Sequence, residues 1–189
     1  MKKFLLVFII FLIINNPSIQ ANIKNNNQNE KIIYVDDDGG ANYTLIQDAI
    51  NNASDGDTVY VYSGIYYEHI IINKSIILIG ENKNTTIIDG NHSGNVIIIT
   101  ADSVTLKGFK IKNCGENLSY IKNIIDTTIE IHSKNNTILD NIITWDKFAG
   151  LFYNPIGIKI ILYSDNNVIS NNEILQCING ISLESINNK

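Results

Sequence analysis

The residue types that carry most enzyme chemistry are scarce in this sequence of 189 residues. His69, His92 and His132 are its three histidines, and Cys114 and Cys177 its two cysteines. Glu68 and His69 are adjacent, a carboxylate beside an imidazole, the materials of a general base. Neighbours on a strand point to opposite faces, so these two cannot act as one pair. Glu68 is expected to face solvent or to cap a neighbouring turn. Asp36-Asp37-Asp38-Gly39-Gly40 offers the hard oxygens that calcium takes, but without the EF-hand spacing, and reads as an acidic turn. The histidines show no ligand spacing. No catalytic, cofactor-binding or metal-ligating residue is therefore assigned, and no cofactor. Aromatic rings remain as a handle. Tyr60, Tyr62, Tyr66 and Tyr67 are close in sequence, and Trp145, Phe148, Phe152 and Tyr153 lie in or near one proposed loop. Amphipathic rings suit sugars, which are polar at their edges and apolar on their faces. The second group is the candidate ligand-binding loop, with polysaccharide or a cell-surface glycan as its partner.

The elements that would position these groups are strands. The sequence holds 40 Ile and 29 Asn. Ile alternates with polar residues, a strand pattern, and its β-branch suits a pleated surface. Asn clusters between these runs, where turns are expected. A repeat underlies both. Ser133-Lys134-Asn135-Asn136-Thr137-Ile138 matches Ser164-Asp165-Asn166-Asn167-Val168-Ile169 at a shift of 31. Thr105-Leu106 matches Thr137-Ile138 at 32, and Ser75 to Gly80 matches Ser103 to Gly108 at 28. Ser185-Ile186-Asn187-Asn188 matches Ser164 to Asn167 at 21. A basic unit of 21–22 residues, lengthened by loops near Gly115–Ile125 and Asp146–Ile156, accounts for these shifts. Such a unit is one coil of a parallel β-helix. Rows of stacked Asn, namely Asn135-Asn166-Asn187 and Asn136-Asn167-Asn188, are expected to bond along the stack. Cys114 and Cys177 fall at equivalent positions two coils apart, roughly 10 Å at the usual strand spacing. That is beyond disulfide reach, so two free thiols are expected.

The amino end differs. Lys2 and Lys3 precede an apolar run from Phe4 to Ile14, too short to span a bilayer. With Ala21 as a small residue for cleavage, residues 1–21 read as a secretory signal peptide. The mature chain then has 12 Lys against 19 acids, about −7, which excludes a nucleic-acid partner. It has no membrane span. Residues 22–31 are an Asn-rich linker, 32–63 an amino-terminal cap with the first strands, and 64–189 the coils. Thr44-Leu45-Ile46-Gln47 reads as a capping box, with Thr44 as N-cap. The helix it opens would cover the end of the solenoid, whose strand edges are otherwise bare. Asn187-Asn188-Lys189 begins another corner, so the coils are expected to be incomplete.

The segment GIYYEHIII, residues 64–72, resembles the G-x-Y-x-E segment of pectin methylesterases. The run from Tyr34 to Gly90 resembles the cap and first coils of pectin-lyase-like right-handed β-helix proteins. NNTILDNII and NNVISNNEI resemble the repeats of the NosD-type β-helix family. The resemblance implies an all-β fold, a right-handed parallel β-helix with a short amino-terminal capping helix, in a secreted or cell-surface protein. It implies little about the reaction, because the fold hosts lyases, esterases, adhesins and stalks alike. The NosD name carries a link to copper, but copper wants soft or imidazole ligands, and these are few and scattered here. The esterase and lyase mechanisms of the resemblance use Arg, which this sequence lacks entirely. Lys does not replace its planar fork. The expectation is a structural, adhesive or carbohydrate-binding role rather than catalysis. The alternative is the front part of a pectinesterase- or lyase-like enzyme whose catalytic coils lie outside this sequence.

Overall fold

Ile and Val at alternate positions, broken by polar corners, bury one face of each short strand. The computed structural model describes residues 30–115, 118–119, 124–146, 156–161, 163–177 and 179–184. The chain divides into two units, 1–30 and 31–189. Of the first, only Glu30 is among the described residues. The described part of the second has one helix, α1 (Ile46–Asn52), and strands that stack into three parallel sheets.

Sheet A stacks β1 (Ile32–Val35), β2 (Thr58–Val61), β5 (Ile77–Gly80), β8 (Thr105–Lys107), β13 (Thr137–Leu139) and β16 (Val168–Ser170). Sheet B stacks β3 (Gly64–Tyr66), β6 (Thr86–Asp89), β9 (Lys110–Lys112), β14 (Ile142–Thr144) and β17 (Glu173–Ile174). Sheet C stacks β4 (Ile70–Ile72), β7 (Ile97–Ile99), β12 (Thr127–Ile131), β15 (Ile156–Ile160) and β18 (Asn179–Leu183). An antiparallel pair, β10 (Leu118–Ser119) and β11 (Ile124–Ile125), is inserted between β9 and β12. From β2 onward the chain visits A, B and C in turn, the winding of a right-handed parallel β-helix.

The strand register reproduces the sequence repeat. Ile77 pairs with Thr105, Thr105 with Thr137 and Thr137 with Val168, the shifts of 28, 32 and 31 residues. The two expected insertions both fall between a B strand and the next C strand, which is why the spacing lengthens across them. Inward side chains form axial rows, such as Ile70, Ile97, Ile129 and Ile158, each essentially without solvent exposure. Each such side chain buried adds about 1.5–3 kcal/mol of gross hydrophobic free energy.

Asn closes the corners in two ways. Asn135 and Asn166 take the left-handed conformation, with φ of 58° each, which Asn tolerates better than other residues with a Cβ. Their neighbours form the ladder. The Val104 N–H donates to Asn136 Oδ1 at 2.8 Å, and the Asn136 N–H to Asn167 Oδ1 at 2.9 Å. A second ladder runs through the corner between sheets A and B. The Phe109 N–H donates to Asn141 Oδ1 at 3.1 Å, and the Asn141 N–H to Asn172 Oδ1 at 3.0 Å. The side chains thus bond mainly to the backbone of the preceding coil, where strand pairing has ended and the N–H groups need acceptors. Asn187 and Asn188 lie outside the described residues. The backbones of successive coils also approach closely in places: a Cβ on Gly80 would collide with the Gly108 carbonyl, and one on Gly157 with the Gly180 carbonyl.

Candidate functional site

Glu68 and His69 do point apart. Glu68 is buried and His69 exposed. Glu68 does not face solvent: its carboxylate accepts the Ile46 N–H at 2.8 Å and the Gln47 N–H at 2.9 Å. Those are the first amides of α1, which have no acceptor within a helix. The capping box is therefore displaced. The residue at the N-cap is Leu45, without a side-chain bond, and Glu68 does from a distance what Thr44 was expected to do. Gln47 instead serves the edge of sheet C. It accepts the Ile71 N–H at 2.7 Å and donates to the Ile71 carbonyl at 3.3 Å, as a neighbouring strand would. Lys74 closes the other end of the helix on the carbonyls of Asn51 and Ala53, at 2.7 and 2.6 Å.

The rest of the motif is equally structural. A Cβ on Gly64 would strike the Asp37 carboxylate, which accepts the Ile65 N–H at 3.0 Å. Tyr66 is buried and its hydroxyl donates to the Tyr62 carbonyl at 3.0 Å; burial and the neighbouring Asp37 push its pKa up to about 12. Burial also raises the Glu68 pKa, against the two helix amides that lower it.

The outward face of sheet C gathers charge. Lys159 Nζ lies 2.7 Å from Glu184 and 3.8 Å from Glu130, and His132 Nε2 lies 3.6 Å from Glu130. The Asn95 amide donates to Glu130, and His69 lies 2.7 Å from the Asn95 carbonyl and 3.1 Å from Ser93 Oγ. One lysine bridges two carboxylates, so this row is an ion-pair ladder. Among the described residues, no three His, Cys, Asp or Glu are gathered to hold a metal. None of the described helices is long and apolar enough to cross a membrane.

Both cysteines are free. Burial raises their pKa values to about 11 at Cys114 and about 12 at Cys177, so both are thiols at neutral pH. Trp145, expected on a ligand-binding loop, is instead 1% exposed and belongs to the core. Its indole N–H donates to the Cys114 carbonyl at 3.3 Å, and its ring packs edge-on to His92. An apolar ring of that size is worth more inside the solenoid than on its flank. Phe148, Phe152 and Tyr153 lie outside the described residues.

Aromatic rings meet elsewhere. The outward rows of sheet A bring Tyr34 beside Tyr60, and Tyr62 follows at the strand end. Tyr34 and Tyr62 lie nearly parallel, at 19° and 6.0 Å between ring centres, with Tyr60 edge-on to both. Exposed Ile32 and Ile77 continue this face along the strands. At its rim, the Glu81 carboxylate holds the Ser63 hydroxyl at 2.7 Å, and Ser63 bonds Thr85 at 2.8 Å. These bonds to Ser63 keep the Glu81 pKa below the usual glutamate value. The result is an aromatic cluster beside an ionised acceptor and two hydroxyls. Of the four tyrosines grouped by sequence, only Tyr60 and Tyr62 belong to it. Tyr66 is buried, and Tyr34 could have been added only from the register of β1 on β2.

With this geometry in hand, comparison with known proteins places the chain. A family model described as a protein of unknown function, DUF1565, matches residues 64–189. The chain belongs to the DUF1565 family. A cell surface glycoprotein of Methanothermus fervidus is 32% identical over 156 residues, covering 79% of this chain and 23% of that protein. A probable pectinesterase/pectinesterase inhibitor of Arabidopsis thaliana is 35% identical over 72 residues, covering 33% of this chain and 13% of that one. This DUF1565 chain thus spans about a quarter of the length of the first relative and about an eighth of the second. Among solved structures, a pectin methylesterase from Aspergillus niger has a TM-score of 0.55 at 14% identity, over 82% of this chain and 61% of that one. The pectin methylesterase PemA from Erwinia chrysanthemi has 0.51 at 16%, over 76% and 55%. At these identities the likeness is one of fold.

Proposed function

We propose that this DUF1565 protein is an exported β-helix module, displayed at the cell surface, that binds neutral carbohydrate on the tyrosine face of sheet A. The observation that carries the reading is the three-ring cluster of Tyr34, Tyr60 and Tyr62 with Glu81 and Ser63 at its rim. A pyranose stacks its C–H face on an open ring face of such a cluster and donates hydroxyl protons to a carboxylate at the edge. The same carboxylate, on a chain of net charge −5, disfavours acidic polymers. The amino-terminal segment 1–21, read as a signal peptide, and the name of the Methanothermus fervidus relative support display at the surface.

The test is binding by the whole chain to a panel of neutral and acidic polysaccharides, with ester release and bond cleavage recorded in parallel. Retention on a neutral polymer, lowered tenfold or more in the Tyr34→Ala/Tyr62→Ala double variant, is the expected result. Unchanged retention in that variant would remove the tyrosine face from the reading. Ester release or chain cleavage would favour the second reading, a polysaccharide-active enzyme whose catalytic coils lie beyond this sequence. The pectin methylesterase fold is the observation behind it.

A further inference from the structure

Seven Asn-x-Ser/Thr triplets occur, at Asn42, Asn52, Asn73, Asn84, Asn91, Asn117 and Asn135. Among the described residues, the asparagines that bond into corners from a buried or partly buried position and those that open triplets are separate sets. Asn113, Asn136 and Asn141 are buried, and Asn95, Asn167 and Asn172 are partly buried; all six are bonded into corners, and none opens a triplet. The triplet asparagines among the described residues, all but Asn117, are exposed. Asn135 and Asn136 show the division within one corner. The first points out of a left-handed turn, and the second locks Val104 and Asn167 inside it.

Exposure alone does not make a usable site, because the enzyme must also reach the hydroxyl two residues on. Three sites fail on the folded chain. The Asn52 amide is spent on the Asp48 carbonyl at 2.9 Å. Thr86, the hydroxyl partner of Asn84, is fully buried and accepts the Asn82 N–H at 3.2 Å. Ser93, the partner of Asn91, is held between His69 and the Gly90 carbonyl. Asn42, Asn73 and Asn135 are exposed, and Thr44, Ser75 and Thr137 keep at least part of their surface in solvent.

We propose that Asn42, Asn73 and Asn135 carry N-linked glycans added to the folded coil. The donor is an oligosaccharide linked through phosphate to a membrane lipid. The amide nitrogen forms a bond to C1 of the first sugar, the C1–O bond to phosphate breaks, and the lipid phosphate leaves with the electron pair. The amide gives up one proton. Asn73 follows β4 and Asn135 follows β12, so both stand on the edge where sheet C turns into sheet A, two coils and about 10 Å apart. Glycans there line the start of the sheet A strands.

The proposal rests on the export part of the function above and not on its sugar-binding part. The test is peptide mass spectrometry of the protein isolated from the cells that make it, with its amino-terminal peptide determined in the same digest. The expected result is a chain starting after residue 21, with glycan on the Asn42, Asn73 and Asn135 peptides. Thr44→Ala, Ser75→Ala and Thr137→Ala should each lose the mass of one glycan, with an unchanged circular dichroism spectrum. A cleaved chain whose three peptides are unmodified would overturn the glycan proposal and leave export standing. An uncleaved chain without glycans would overturn both. Glycan confined to Asn84 and Asn91 would show modification before folding and overturn the selection argued here.

Discussion

The ends of α1 are closed by side chains that reach in from later in the chain, whereas in the later coils the corners on either side of sheet A are closed by an Asn of the next coil. Glu68, Lys74 and Gln47 each make a contact that occurs once. Asn136 and Asn167, or Asn141 and Asn172, make the same contact over and over. Both devices answer the demand of buried backbone groups for partners. They differ in what their loss does. A corner is shared by the coils on both sides, so its failure spreads through the stack. The cap touches only the first coils, so its failure stays local.

The largest effect is expected at a ladder position. Asn141→Ala strands the buried Phe109 N–H and the Leu106 carbonyl, at a cost of about 2–4 kcal/mol. Chemical denaturation should show one cooperative transition moved to lower denaturant. A change under about 1 kcal/mol would mean that water replaces the amide and the corners are not shared supports. Glu68→Ala comes next, at about 1–2 kcal/mol for a lost helix cap. Hydrogen exchange should quicken in α1 and leave the amides of β12 to β16 protected; uniform loss of protection would erase the contrast with the corners. Gln47→Ala should cost less, about 0.5–1.5 kcal/mol, since it frees one exposed edge pair.

The smallest effect concerns pH. Burial gives Glu68 a folded pKa above its ordinary value, so the folded state binds that proton more tightly than the unfolded one. Stability should therefore fall as pH rises from the ordinary glutamate value through the folded one, and level off above it. In Glu68→Gln this component should be absent. An unchanged pH profile in that variant would show that the helix amides fully offset burial.

The same contrast governs what the sequence discloses. The strands, the corners and both insertions were legible because apolar alternation and Asn pairs recur at the coil spacing. Asn136 and Asn167 could be aligned without any structure. The cap recurs nowhere, so its contacts had to be inferred from local rules. Thr44 and Gln47 fit the capping-box pattern, yet the true cap, Glu68, lies 22 residues beyond Ile46. Trp145 borders an insertion, which suggests a surface ring, but it follows directly on the end of β14 and enters the core. Tyr34 is hidden in the sequence for the opposite reason. Only the pairing of β1 with β2, across a helix, brings it to Tyr60.

The dependence of α1 on Glu68 and Lys74 also orders events in time. A chain released amino end first holds every partner of its cap as soon as Lys74 is free. Each later coil then meets a finished template, so assembly advances like a zipper with one growing end. Chains arrested after successive coils should therefore show α1 shielded from protease at the earliest arrest that exposes β5, with protection extending one coil at a time. Equal protease sensitivity of α1 at every arrest before full length would show that the coils close together instead.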